Sequence, residues 1–559
     1  MKKFIFAMSM FCLFATSTFA QSTVGRLIGT VSGPDGLLPG ATVQVTDNQT
    51  GRIVTAITND SGGYKFEQLT FGTYNVTITS QGFKKFVATD VKVDANRDYT
   101  LNTKLEIGEV TAEVVVQAGA DILNATDAAL SNTVSPRQVL ELPINGRNPL
   151  ALLNLQAGVN ATSNSINGQR SSSVNYTRDG INVQDNFIRT GGFVQDQPTV
   201  DDTGEFTVTT QNAGAELGNG GSSQVLLVTP RGGKDFHGAL YEYNRNSKFA
   251  ANFFGRNASG LDKQFLNRNQ YGAKVSGPVP LPHFGEGGPI VDRGKAFFFA
   301  NYERFDQRQT FGASRRVLLN QFRTGNFTYV DGTGVTRTVN VLTGAGLTGA
   351  IPASAGGALV IDPTIQARFL SLTPTSGNGT FQNFGSAGAV TQTLVFDQNN
   401  NETKNSFASR FDVDINDRNS IYFVYKYNDD LNDRPDADGG GFNQVPFANQ
   451  TGPTQLYVAS YRTIIGSNFV NEVRGAFNKS NPFFNQATNF PSNYLIGGLP
   501  FGLSTPEASF QNQGRDTKQY TFQDNASYTV GKHSLRFGID YNAERIQSQT
   551  NFNQVPVYN

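Results

Sequence analysis

The stretch "NSFASRFDVDINDRNSIYFVYKYN", residues 405–428, alternates apolar and polar side chains on either side of a polar centre. Phe407, Phe411, Val413 and Ile415 share one parity, broken only by Ser409, while Arg410, Asp412, Asp414 and Asn416 hold the other. After "NDRN" the alternation resumes, with Ile421, Phe423, Tyr425 and Tyr427 against Tyr422, Val424, Lys426 and Asn428. A period of two means an extended strand with one greasy and one wet face, and two such strands about a tight polar turn make a hairpin. Two environments accept that pattern: a sheet packed on a soluble core, or a membrane barrel whose outer face meets lipid while its lumen is wet.

Composition narrows the choice. With Gly at 59, Phe at 44 and Tyr at 19 among 559 residues, the chain reads as turn-rich, aromatic and mostly β. Its first twenty residues, "MKKFIFAMSMFCLFATSTFA", combine Lys2 and Lys3, an apolar run from Phe4 to Phe14 and small residues up to Ala20. That is the layout of a secretory signal peptide, with an uncleaved anchor as the alternative. Cys12, the only cysteine, lies inside it, so an exported product would rely on packing and sheet closure rather than disulfides. Removing the leader takes the 45 basic residues to 43 against 45 acidic, with no basic block, which excludes nucleic acid as a partner. No later run approaches the ~20 apolar residues of a spanning helix. Membrane residence would therefore require a barrel.

Three textures follow one another. From Val24 to about Leu105, β-like runs alternate with turns at "PDG", "NDSGG", "FGT" and "QGF", a spacing that predicts a seven-stranded sandwich over 22–105. Residues 106–117 form a short connection. Residues 118–235 have a mixed α/β texture, with a helix predicted to start at Ser135 and Pro136, and a second to bury Leu150, Leu152, Leu153 and Leu155. From 236 to 559 the chain reads as strands. In "KHSLRFGIDYN", Leu535, Phe537, Ile539 and Tyr541 oppose Arg536, Gly538, Asp540 and Asn542. The strand before it sets Tyr520, Phe522, Ala526 and Tyr528 against Thr521, Gln523, Asn525 and Ser527, with Asp524 breaking the apolar side. Short turns alternate with long polar stretches, as periplasmic turns and outer loops do in a barrel.

The first texture resembles the carboxypeptidase regulatory-like, transthyretin-like domain through Gly29 and Val31, Leu38 to Ala41 with Val43, Thr58 with Gly62 and Tyr64, and Leu69 with Gly72 and Tyr74. The succession "LPINGRN", "NGQR", "RDGINVQDN", "AELGNGG", "FHGALYEYNRN", "QYGAKVSGPV" and "KAFFFANYER" resembles the plug and early barrel of Oar-like TonB-dependent receptors. Sugar-importing receptors with the same front domain rank second, because the sequence that begins their plug is different. Two departures stand out: the family's aliphatic-Asp-Gly is Arg178, Asp179, Gly180 here, and the loop at 280–294 is rich in Gly and Pro.

The resemblance implies a receptor in the outer membrane of a Gram-negative cell: periplasmic sandwich, plug, then barrel. It implies an extracellular substrate, carbohydrate and peptide being the candidates, a TonB-type energy-coupling protein as partner, no cofactor and no chemistry. A surface adhesin or structural barrel is the reading from another class. Within the plug, Asn145, Gly146, Arg147 and Asn148 read as a turn whose Arg ties plug to wall by hydrogen bonds, or as a ligand contact. Asn167, Gly168, Gln169 and Arg170, like Asp179 and Gly180, read as architecture. Glu113, Val114, Val115 and Val116 are the candidate coupling segment, able to add a strand to a partner's sheet, or else a strand of the neighbouring domains. No catalytic residue is assigned. A zinc peptidase would need a third ligand beside His283 and Glu286, which fall in a Gly/Pro loop. Roughly nine or ten strands are expected after Phe236, against the ~22 of plugged transporters, so the expectation is a chain carrying part of a barrel.

Overall fold

A computed structural model describes residues 24–558 apart from 110–112, 118–128, 190–193, 215–216, 219–220, 222, 283–290, 293, 341–362, 384–387, 438–440, 467, 487–494, 497–501, 508–509, 531–532 and 552–556. The leader, and His283 with Glu286, lie outside the described residues. Among the described residues no helix is long and apolar enough to cross a membrane.

The front domain is built from β1 (Val24–Gly33), β2 (Gly36–Leu37), β3 (Thr42–Asp47), β4 (Ile53–Ile57), β5 (Gly63–Thr70), β6 (Gly72–Thr79), β7 (Lys85–Val93), β8 (Asp98–Thr100) and β9 (Thr103–Lys104). The count is nine where seven were expected: six strands of five residues or more, and β2, β8 and β9 of two or three residues. Two sheets face each other across Leu27, Val31, Val43, Val45, Phe66, Tyr74, Val76, Ile78, Val91 and Leu105. A further strand, β10 (Glu113–Gln117), extends the second sheet, whose order is β10-β7-β6-β3-β4. Gly29 is obligatory: a Cβ there would lie 2.0 Å from the Leu101 carbonyl oxygen.

The second unit carries β11 (Leu130–Val134), β12 (Asn175–Arg178), β13 (Ile181–Asn182), β14 (Glu205–Gln211) and β15 (Gln224–Val228) in the order β11-β14-β15-β12-β13. Ser135 caps helix α1 (Pro136–Glu141) through a reciprocal box with Gln138. The second helix, Pro149–Leu155, is a 3-10 turn that buries Leu152 and Leu153 and leaves Leu155 exposed.

The remainder is dominated by one large antiparallel sheet. Its long strands are β16 (His237–Asn246), β17 (Leu266–Pro278), β18 (Ala296–Leu318), β19 (Glu402–Asn416), β20 (Asn419–Asp433), β21 (Thr454–Ile465), β22 (Phe469–Ser480), β23 (Gln513–Val530) and β24 (His533–Thr550). Each pairs with the next in sequence. The hairpin of 405–428 is β19–β20, with Phe411 opposite Phe423 and Asp412 opposite Tyr422. The expected outward set is exposed at Ile415, Ile421, Phe423, Leu535, Phe537, Ile539 and Tyr541. Its wet partners Arg410, Lys426 and Asn428 are buried against the second unit or the neighbouring strands. Between β16 and β24 no pairing closes the sheet among the described residues.

The sheet curves around the second unit, touching it from Arg245 on β16, bonded to Asn145, to Glu544 on β24, bonded to Asn186. The front domain meets the end of the sheet that carries the short turns. There Arg52 binds Asp414 at 2.9 Å and the Asp417 carbonyl at 3.0 Å, and Ser534 binds Glu67. β18 is 23 residues long: Phe298, Ala300 and Tyr302 give way along its outer parity to Arg304, Asp306 and Arg308.

Candidate functional site

The strongest chemistry lies where the second unit meets the concave face of the sheet. Core residues of the unit, among them Val139, Tyr176, Phe206, Val208 and Leu227, pack in one cluster with Val424, Leu456 and Val458 of the wall. Set into that apolar contact is a group of four charges. Arg178 binds both Asp196 and Asp202, the latter at 3.2 Å and through its carbonyl at 3.0 Å. Lys426, on β20 of the wall, reaches Asp196 at 2.7 Å, Asp202 at 2.8 Å and the Gln197 carbonyl at 3.0 Å. All four are buried, Lys426 to 1% exposure. Two cations balance two anions, which is the condition under which buried charges are tolerated. Burial alone would raise the Asp196 pKa, but Arg178 and Lys426 outweigh it and hold the carboxylate below its usual range.

This explains the first departure noted in the sequence. The residue before Asp179-Gly180 is Arg because its guanidinium completes the charge group; an aliphatic side chain would leave two aspartates to one lysine. Asp179 and Gly180 form the turn from β12 to β13, both at positive φ (48° and 78°). Asp179 accepts from the Thr229 amide and hydroxyl, and lies 3.7 Å from Arg410 of the wall. The Gly180 carbonyl accepts from Gln523 on β23. Arg410 forks onto Asp412 and lies 4.5 Å over the Tyr422 ring.

Asn145 to Asn148 form a second contact. Gly146 and Arg147 have φ of 90° and 52°, a turn that presents Arg147 sideways. Its guanidinium hydrogen-bonds Asp201 of its own unit at 2.6 Å and touches the wall instead through the ring of Tyr243, 3.7 Å away. The tie is thus a cation–π contact rather than the expected hydrogen bond, and Asp201 passes the charge on to Lys274 of β17 at 2.7 Å. Asn148 caps the following 3-10 turn. Asn167 and Gly168 make another positive-φ turn, with Asn167 bonded to the Thr210 carbonyl; Gln169 donates its amide to Ile166, and Arg170 opens the turn Ser171–Ser173.

The coupling candidates are elsewhere. Glu113, Val114, Val115 and Val116 are β10, parallel to β7 in the register Glu113 to Lys85 and Val115 to Val87. The wall residues Lys274, Arg410, Lys426 and Gln523 were not singled out in the sequence. Their one signal is a long polar side chain on the wet parity of a strand.

Front domain and second unit are also joined. Phe71 and Ala95 pack with Leu226 and Val228, and buried Arg231 binds Asp47 at 2.7 Å. Glu205, at the start of β14, accepts from the Ala95 amide at 2.9 Å and the Thr207 hydroxyl at 3.0 Å. Burial, reinforced by Asp94, pushes its carboxyl up to about 8.

Residues 228–558 match the family model of the outer membrane beta barrel domain, and residues 26–106 that of the carboxypeptidase regulatory-like domain. Among curated proteins the chain is similar to the TonB-dependent transporter Oar of Myxococcus xanthus, with 25% identity over 326 residues, 54% of this chain. That alignment spans 29% of the relative's length. Similar solved structures include the outer membrane transporter YddB from Escherichia coli, at 12% identity and a TM-score of 0.40 over 75% of this chain and 54% of that one. Another is the siderophore receptor PirA from Acinetobacter baumannii, at 11% and 0.43 over 74% and 48%. With more than half its length in the barrel model and a transporter homologue alongside, the chain belongs to the outer-membrane β-barrel family and resides in the outer membrane.

Proposed function

We propose that the chain is a TonB-dependent receptor whose second unit is a plug, and that it moves a substrate across the outer membrane when a periplasmic energy-coupling protein pulls the plug aside. The observation that carries this is the charge-balanced contact of Arg178, Asp196 and Asp202 with Lys426. Such a contact holds a plug firmly, yet every member is a polar group that water can re-solvate once the plug shifts. Substrate would collect between the long loops and the plug. The front domain lies at the periplasmic end, beside the short turns.

The pull has a natural starting point. β11 is the edge strand of the plug sheet, and Val134 pairs with Phe206 near the front domain while Leu130 pairs with Gln211 at the far end. Force from the periplasm on the chain before Leu130 drags that far end back past Val134, so the pairs are loaded one after another.

Growth of a deletion strain on single nutrient sources, compared with wild type, tests the function. A nutrient that supports wild type only, and stops doing so when the coupling protein is deleted, is the expected result. Equal growth on every source, with loss of surface attachment instead, would replace the reading by an adhesin.

A further inference from the structure

Two arginines stand directly opposite each other on adjacent strands of the wall, Arg245 on β16 and Arg268 on β17. Like charges in that position repel, so the pair costs stability unless something neutralises it. Both face the second unit. Arg245 donates to the Asn145 side-chain oxygen at 2.6 Å, and a Cβ on Gly146 would lie 3.6 Å from a terminal nitrogen of Arg268. Among the described residues neither guanidinium has a carboxylate partner, and Arg268 donates to the neutral Gln307 at 2.8 Å. The carboxylates on this side are already committed. Asp201 is shared by Arg147 and Lys274, Glu402 pairs with Lys404, and Glu303 accepts from Tyr241 and Gln270. Arg245 is exposed and Arg268 half-buried, at the ends of β16 and β17 away from the front domain, and the ring of Phe305 supports the Arg268 guanidinium from 5.6 Å.

We propose that Arg245 and Arg268 form an anion-binding fork for the transported substrate, which therefore carries a carboxylate or phosphate group. This rests on the reading of the chain as a TonB-dependent receptor whose substrate collects above the second unit. A guanidinium matches the paired oxygens of a carboxylate or phosphate, and an anion seated between two of them turns their repulsion into attraction. A neutral sugar would leave the repulsion in place. The same geometry links binding to the second unit. An anion that draws Arg245 toward Arg268 competes with Asn145 for its donors. It thereby loosens the turn Asn145–Asn148, whose Arg147 is stacked on Tyr243 of the wall.

The test is calorimetric titration of the detergent-solubilised receptor with citrate and with inorganic pyrophosphate, sucrose serving as the neutral control. Wild type should bind at least one of the two anions and not sucrose, and the anion that binds tells carboxylate from phosphate. Arg245→Gln and Arg268→Gln should each weaken that binding about tenfold or more, as the loss of a charge-assisted fork requires. Arg268→Lys, which keeps the charge and loses the fork, should fall between. Because Arg268→Gln removes a repulsion, its thermal transition without ligand should be no lower than that of wild type. A lower transition makes Arg268 a structural residue and overturns the fork. So does unchanged anion binding in the double variant Arg245→Gln with Arg268→Gln, or wild type that binds neither anion. None of these outcomes touches the receptor reading, which stands or falls on nutrient-dependent growth.

Discussion

Replacing Lys426 by Met tests whether the charge group holds the plug. Methionine has nearly the same length and volume, so the change removes a charge and leaves little cavity. Before it, Arg178 and Lys426 face Asp196 and Asp202; afterwards one guanidinium faces two carboxylates in a site with almost no solvent. Stripping one member from a buried ion group costs about 3–5 kcal/mol. If that cost falls on the docked plug and is relieved once water reaches the site, the opening equilibrium shifts by about two to nearly four decades. Hydrogen exchange of the amides in β14 and β15, followed in the detergent-solubilised receptor, reads that equilibrium directly. The double variant Lys426→Met with Asp196→Asn restores one cation to one anion and should recover most of the protection, a coupling that separates charge balance from local damage. Exchange within about threefold of wild type in the single variant, or a double variant less protected than the single, would refute the argument.

Glu205 predicts a pH dependence at the junction of the front domain and the second unit. Its native pKa, about 8, lies above the ~4.3 of a free glutamate, so the native state holds the extra proton. The junction is therefore firmest below pH ~4, weakens as the pH rises and has lost this contribution above about 8. Thermal scans between those limits should show the decline, and Glu205→Gln should flatten it; a midpoint that rises with pH contradicts the assignment. Residues 22–105 should fold alone with a cooperative transition, and Gly29→Ala should abolish it or lower it sharply, since the new methyl group meets the Leu101 carbonyl. By contrast Arg137→Ala, which breaks an ion pair 82% and 62% exposed, should change stability by no more than about 0.5 kcal/mol.

What could be read in advance was whatever depends on neighbours in sequence. The faces of β19, β20, β23 and β24 follow from parity alone, because each strand meets lipid on one side and a largely polar interior on the other, with Val424 of β20 an apolar exception. The start of α1 at Ser135 and Pro136 was legible for the same reason: a cap acts within one turn. The 3-10 form of Pro149–Leu155 was not, because tertiary packing of Leu152 and Leu153 decides it. The charge group was hidden more deeply. Lys426 stands 224 residues or more from its partners, and nothing near it separates a residue buried against a plug from one bathed in a channel. Arg178 did give a signal, as a charge where the family resemblance implies an aliphatic side chain, but the reason lay on the wall. Asp524, read as a blemish on an apolar face, is matched by the amide of Asn471 on the adjacent strand.

The length of β18 has a consequence for how the cell surface is laid out. After Tyr302 no outward position as far as Arg316 carries a large apolar side chain, and the strand continues sixteen residues beyond Tyr302, to Leu318, paired beyond Gln309 with Ala389–Asn399. At ~3.3 Å per residue and a tilt of ~40° that remainder climbs about 40 Å above the lipid. The wall on this side is a parapet standing in the sugar layer of the outer leaflet rather than a rim level with it. A large ligand would meet the polar flank of the parapet, with Arg315 and Arg316 near its top, long before it came near the membrane.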